Sequence, residues 1–220
     1  DVYKRQGHSF PRALWEGIFH AISAFNNAGF STNSDNLVPF VGDAWILLPL
    51  AGAVIGGGLG FPVWAELMRH MRRGSEAMRR ISITARMTLA ATGVLIAAGT
   101  IFFALTEWNG VLAPMTWGEK LLNSFFASVS PRTAGFNTFD YGEVHPVTLM
   151  GTDTLMFIGG GSAGTAGGIK VTTACVLLAA MAAEFLGKEK TSIYHRSLPH
   201  SVTRQALALS FAGVLVVTLG

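Results

Sequence analysis

The sequence predicts an all-α membrane protein built from repeated units, each a re-entrant short helix, a polar turn and a longer spanning helix. Three observations carry this expectation. Half of the 220 residues are hydrophobic and only 13% are charged, whereas a soluble domain carries about 25% Asp, Glu, Lys and Arg. Three apolar stretches are long enough to cross a bilayer. An Ala-Gly-Phe tripeptide occurs twice in matching surroundings. The same composition excludes a disordered or fibrous chain, and a net charge of +3 is too small to imply a nucleic-acid partner. The single cysteine, Cys175, lies in an apolar run, which excludes an internal disulfide or a CxxC metal site and leaves a small buried hydrophobe.

Residues 1–6 (DVYKRQ) fit nothing downstream and read as a non-native scar. Ala13 to Phe25 is apolar but too short to cross, as a re-entrant helix would be. Ala44 to Met68 reads as a single spanning helix, kinked by Pro49 and Pro62, with Gly56, Gly57, Gly58 and Gly60 as a flat packing face. Arg69, Arg72, Arg73, Arg79, Arg80 and Arg86 cluster at the junction with the second span, Ile81 to Leu105. By the positive-inside rule this junction is cytoplasmic, as is the linker Gly187 to Arg204 with its Lys188, Lys190, Arg196 and Arg204. Leu121 to Val129 is the second short segment. The third span, Pro146 to Leu186, should break near Gly159 to Gly168, because each glycine costs about 1 kcal/mol relative to alanine in a helix. Trp45, Trp64, Trp108 and Trp117 near span ends suit the headgroup level. The first residue is Asp and the last apolar run, Gln205 to Gly220, is too short to span, so the chain is expected to be a fragment of a longer protein.

Sliding the chain by 106 positions aligns Phe19 with Phe125, Ala21 with Ala127, Ala28-Gly29-Phe30 with Ala134-Gly135-Phe136 and Thr32 with Thr138. A short helix ending within the membrane points its negative dipole end, about half a charge, at whatever lies beyond, which favours a cation. Non-helical backbone at that depth must be buried or line water, and its carbonyls can then replace an ion's hydration shell. Gly29 and Gly135 supply the dihedrals. Asn26, Asn27, Ser31, Thr32, Thr133, Asn137 and Thr138 surround them with neutral dipoles suited to a permeating monovalent cation. Arg132 is expected to point away from the axis and hold the loop through carbonyls or through Asp140 or Glu143. The glycine-rich break is a candidate gate, and Lys170 beside it should face water or carbonyls, unless it snorkels. Asp153 either draws cations or caps a half-helix, while His20 and His145 read as packed or interfacial residues.

FHAISAFNNAGFST, SFFASVSPRTAGFNTFD and LMFIGGGSAGTAGGIKVTT resemble segments of the Trk/Ktr/HKT superfamily of potassium transporters, most nearly the bacterial Ktr/Trk membrane subunit, over almost all of Arg12 to Gly220. The resemblance implies a potassium-channel-like fold of four helix, pore-loop, helix repeats, with potassium as the transported ion, no covalent cofactor and no enzymatic activity. It implies a multi-pass protein of the bacterial plasma (inner) membrane in contact with lipid, working as a homodimer with a cytoplasmic nucleotide-binding regulatory subunit. Carried over, the filter residues are Asn27, Ala28, Gly29 and Phe30 of the second repeat and Thr133, Ala134, Gly135 and Phe136 of the third, binding potassium through backbone carbonyls. The gate is the intramembrane loop Gly159, Gly160, Gly161, Ser162, Ala163, Gly164, Thr165, Ala166, Gly167 and Gly168, with Lys170 at its edge. The second repeat then occupies residues 7–70, a cytoplasmic basic loop 71–80, the third repeat 81–186, a cytoplasmic linker 187–204 and the start of a fourth repeat 205–220. Without a first repeat or a fourth filter, this stretch alone should not close a selective pore.

Two rival readings remain. Glycine loops can serve packing in a membrane subunit that conducts nothing. Alternatively, Gly159 to Gly164 satisfies GxGxxG, follows Leu155 to Ile158 and has Glu184 twenty residues beyond, the pattern of a soluble dinucleotide-binding oxidoreductase. Against that, Thr172 to Phe185 continues without the turn and second strand such a unit needs.

Overall fold

A proline in the first helical turn costs no hydrogen bond, and Pro11 stands there in α1 (Phe10–Phe25). The computed structural model describes residues 9–73, 81–187, 192–193, 196–197 and 200–219. The expected scar at 1–6, with Arg79, Arg80, Lys188 and Lys190, lies outside them. After α1 come a short 3-10 turn (Val38–Phe40), α2 (Ala44–Leu59), α3 (Phe61–Arg73), α4 (Ile83–Glu107), α5 (Trp117–Val129), α6 (Pro146–Phe157), α7 (Val171–Phe185) and α8 (His200–Leu219). The expected all-α architecture is found. The sole strands among the described residues are the two-residue pair β1 (Ser192–Ile193) and β2 (Arg196–Ser197). This hairpin falls in the expected linker, and α8 begins at His200, five residues before the apolar run that signals it in the sequence.

The first span differs from its expectation. Pro49 stays inside α2 without breaking it, and Pro62 sits in the first turn of α3. The break is at Gly60, whose φ of +88 leaves the helical region, and α3 departs from α2 at 102°. Trp64, expected as a headgroup anchor, instead braces this elbow, its indole N–H donating to Gly56 O at 2.7 Å. Among the described residues, only α4 is by itself long and apolar enough to cross a membrane, at about 37 Å for 25 residues. The bent pair α2–α3 would make a second span. The third span breaks as expected, between α6 and α7.

Local chemistry starts the helices. Asp43 accepts the N–H of Trp45 at 2.9 Å to cap α2, Ser82 accepts that of Ala85 at 3.2 Å to cap α4, and Glu119 reaches back to Thr116 N at 2.8 Å at the start of α5. Glu107, fully buried at the end of α4, accepts from His145 N at 2.9 Å, from Val111 N at 3.3 Å and from the Thr148 hydroxyl. It thereby ties the end of α4 to the start of α6. His145 is the residue preceding α6 and Asp153 lies exposed in its interior, so Asp153 caps nothing.

One core cluster joins the two copies: Ala24 and Leu47, Leu50 and Val54 pack with Phe126, Val129, Ala134 and Phe136. A second gathers Phe103, Ala127, Val144 and Leu155 beneath α4, α5 and α6. Cys175 is half-buried beside Met87 and Val176. Outward-facing Val94, Ile101 and Leu105 of α4 and Leu207, Leu209 and Phe211 of α8 form apolar surface that lipid solvates better than water.

Two glycines of α2 separate packing from propensity. A methyl group at Gly57 would overlap the Phe25 carbonyl oxygen, whereas nothing lies within 4 Å of one at Gly52. In the full-length protein in detergent, Gly57→Ala should therefore lower the apparent melting temperature by an overpacking cost of at least about 1–3 kcal/mol. Gly52→Ala should leave it unchanged or raise it.

Candidate functional site

α1 and α5 both stop where polar turns begin, and the backbone repeats there. Asn27 and Gly29 have φ of 52 and 71, and Thr133 and Gly135, each 106 residues on, have 86 and 80. Left-handed residues thus alternate with ordinary ones at matching positions in both copies. The turns are anchored from behind. Ala28 N donates to Ser23 O, and Ala134 N and Gly135 N donate to Ser130 O. The hydroxyls of the same two serines donate to the carbonyls of Phe30 (2.8 Å) and Phe136.

These serines are absent from the sequence-derived site. Their spacing is 107 rather than 106: Ser23 lies inside α1, two residues before its end at Phe25, whereas Ser130 directly follows α5, which ends at Val129. Strict alignment pairs Ala24 with Ser130 and hides the equivalence. A serine at the C-terminal end of each short helix was the available signal.

Among the described residues, no hydrogen bond reaches the carbonyl oxygens of Asn27, Ala28, Gly29, Thr133, Ala134 or Gly135. Phe30 and Phe136 differ from these six in having carbonyls pinned by serine. Their rings also diverge, Phe30 exposed and Phe136 buried in the shared core. The two turns meet: a methyl group on Gly29 would overlap the carbonyl oxygen of Ala134, and Gly135 lies close to the Gly29 Cα.

Against both turns packs the non-helical segment 158–170 between α6 and α7. It closes on itself through a parallel bridge of Ile158 with Ile169, with Gly159 N on Ile169 O and Val171 N on Gly160 O, both at 3.0 Å. Its outer amides are satisfied by the α2–α3 elbow, Gly161 N donating to Gly58 O at 2.7 Å and Thr165 N to Gly57 O at 3.2 Å. Side chains on Gly160 or Gly161 would collide with the carbonyls of Gly58 or Leu59, so glycine permits the approach. The segment is no dinucleotide-binding turn: it packs loop against elbow, and α7 runs unbroken through Glu184.

A family model described as cation transport protein (TrkH) matches residues 5–220. The chain belongs to the TrkH family of cation transport proteins. This is the family the motifs resemble. Ktr system potassium uptake protein B of Bacillus subtilis is 39% identical over 215 residues, covering 97% of this chain and 47% of that protein. Potassium/sodium uptake protein NtpJ of Enterococcus hirae is 38% identical over 201 residues, covering 91% and 44%. The crystal structure of the potassium transporter TrkH from Vibrio parahaemolyticus superposes with a TM-score of 0.73 at 18% identity, over 94% of this chain and 49% of that one, and so shares the fold. The chain spans about half the length of the curated relatives it matches.

In this TrkH-family chain the cationic side chains near the turns serve the loop. Arg132, buried, donates from Nη2 to Gly159 O at 3.2 Å, as expected of a residue that holds carbonyls, and makes no bond to Asp140 or Glu143. Lys170 is half-buried and donates to Ala166 O at 2.7 Å, so it meets a carbonyl within its own loop and does not snorkel. His20 is buried behind the first turn, Nδ1 on Glu16 O and Nε2 on Ser31 Oγ, a packed residue as expected.

Arg132 can be tested by stability. Arg132→Gln in the full-length protein should cost about 1.5–3 kcal/mol, the worth of a hydrogen bond to a charged group, read as a lower denaturant midpoint in detergent. An unchanged midpoint would show that the bond to Gly159 holds nothing.

Proposed function

We propose that the chain is part of a potassium uptake protein of the bacterial plasma membrane, in which the ion sheds water at the turns and passes the 159–168 loop. The observation that carries this reading is the set of six backbone carbonyls to which no described residue donates, in two turns that touch across the repeat. Backbone oxygens held at a short helix's negative end are cation ligands by their chemistry. The filter is then Asn27, Ala28, Gly29 and Phe30 with Thr133, Ala134, Gly135 and Phe136, the Phe carbonyls contributing a remaining lone pair each. The gate is Gly159 to Gly168 with Lys170, whose backbone is hydrogen-bonded into both the elbow and itself. Support for potassium comes from the relatives, named as potassium or potassium/sodium uptake proteins. On the same reading the whole protein is not an enzyme, carries no covalent cofactor, crosses the membrane several times and pairs as a homodimer with a cytoplasmic nucleotide-binding subunit. The second repeat (7–70), basic loop (71–80), third repeat (81–186), linker (187–204) and start of the fourth repeat (205–220) keep their assignments.

The test is growth of a potassium-uptake-deficient bacterial strain carrying the full-length protein in limiting potassium. Wild type should restore growth. Gly29→Ala should abolish rescue, because its methyl displaces the Ala134 carbonyl. Gly135→Ala meets open space apart from the Gly29 Cα at 3.9 Å, and pays only the left-handed strain of about 1–2 kcal/mol, so rescue should be reduced but present. Full rescue by Gly29→Ala would instead favour a packing role for both glycines.

A further inference from the structure

Thr165 stands where loop, first turn and elbow meet. Its hydroxyl donates to the carbonyl of Phe25, the last residue of α1, at 3.0 Å and accepts from Asn27 Nδ2 at 2.7 Å. Its backbone N–H donates to Gly57 O at 3.2 Å. Asn27 is buried in a left-handed conformation, and among the described residues its amide reaches one other acceptor, Val54 O, at a long 3.4 Å. The second turn holds the loop elsewhere, through Thr133 Oγ1 accepting from Gly167 N at 3.2 Å and Arg132 donating to Gly159 O. The loop therefore cannot leave without stripping the partner from Asn27, whose own carbonyl is among the six that no described residue donates to.

Resting on the filter-and-gate reading above, we propose that Thr165 is a positioning residue that latches the loop to the first turn, so that ion occupancy of the filter and opening of the loop form one linked equilibrium. Linkage runs both ways: a cation that steadies the turn in its present geometry also favours the latched loop, and release of the loop weakens the cation's site by the same factor. The anchors on Thr133 and Arg132 keep the loop in place when Thr165 is altered, so a single substitution there shifts the equilibrium and leaves the fold intact.

The experiment uses the full-length protein in liposomes, made free of native cysteines, with Ala166→Cys as a reporter. Ala166 is buried on the latched loop, so a thiol there reaches water when the loop is released. The rate of labelling by a water-soluble maleimide is measured with and without potassium, alongside potassium flux. Potassium should slow labelling in the parent. Thr165→Val, equal in shape but lacking the hydroxyl, should label about ten-fold faster and lose the potassium dependence, while Thr165→Ser should restore both. Asn27→Gly, which keeps the left-handed backbone, should also accelerate labelling, and Thr165→Val added to it should be no faster than Thr165→Val alone. Unchanged labelling in Thr165→Val, or retained potassium dependence, overturns the latch while flux still supports the uptake reading. A parent that passes no potassium and labels identically with and without it overturns the uptake reading itself.

Discussion

The structure depends on one constraint: peptide groups outside helices and away from water must find their hydrogen bonds within the protein. The segment between α6 and α7 has no helical partners for its amides, and α2 has carbonyls left over where it breaks at Gly60. Each supplies what the other lacks, Gly161 N and Thr165 N donating to Gly58 O and Gly57 O. Direct backbone-to-backbone contact of this kind excludes a Cβ at Gly60, Gly160, Gly161 and Gly164, and the Phe25 carbonyl excludes one at Gly57. The glycine-rich stretches of two separate spans are two halves of one joint.

That joint determines what the turns can do. Because the loop's amides are spent on the elbow and on its own bridge, and the Phe30 and Phe136 carbonyls on serine hydroxyls, the other carbonyls of residues 27–29 and 133–135 are left without donors among the described residues. The same economy places Arg132. A buried guanidinium needs acceptors, and the Gly159 carbonyl offers one without bringing a carboxylate near the turns. Opposite signs are thus kept apart: the buried acid Glu107 is satisfied by neutral donors at the far end of α4, away from the turns.

Much of this was legible in the residues. The two short helices, the repeat and the break in the third span follow from apolar length and glycine content, both properties of local sequence, and the repeat proved real down to matched φ angles at residues 27 and 133 and at 29 and 135. The elbow was misplaced. Proline looks like the stronger helix breaker, yet Pro49 is tolerated and Pro62 begins α3, while Gly60 turns the chain because it alone escapes the Cβ restriction at φ of +88. Trp64 resembled an anchor for the same reason: its part in the joint lies in a hydrogen bond to Gly56, eight residues away across the bend. Ser23 and Ser130 were invisible because equivalence of role does not require equivalence of alignment.

The amino-acid sequence by itself determined the solvent, the helical class, the two-copy organisation and the family, since each follows from the order of polar, apolar and glycine residues along short stretches. Only the tertiary structure decided which glycine bends the first span, which carbonyls stay free, and that Thr165 joins loop to turn across 138 residues of chain. The physical reason is that hydrogen bonds between distant non-helical segments leave no periodic signature; they are settled by which unsatisfied groups come face to face once the helices have packed.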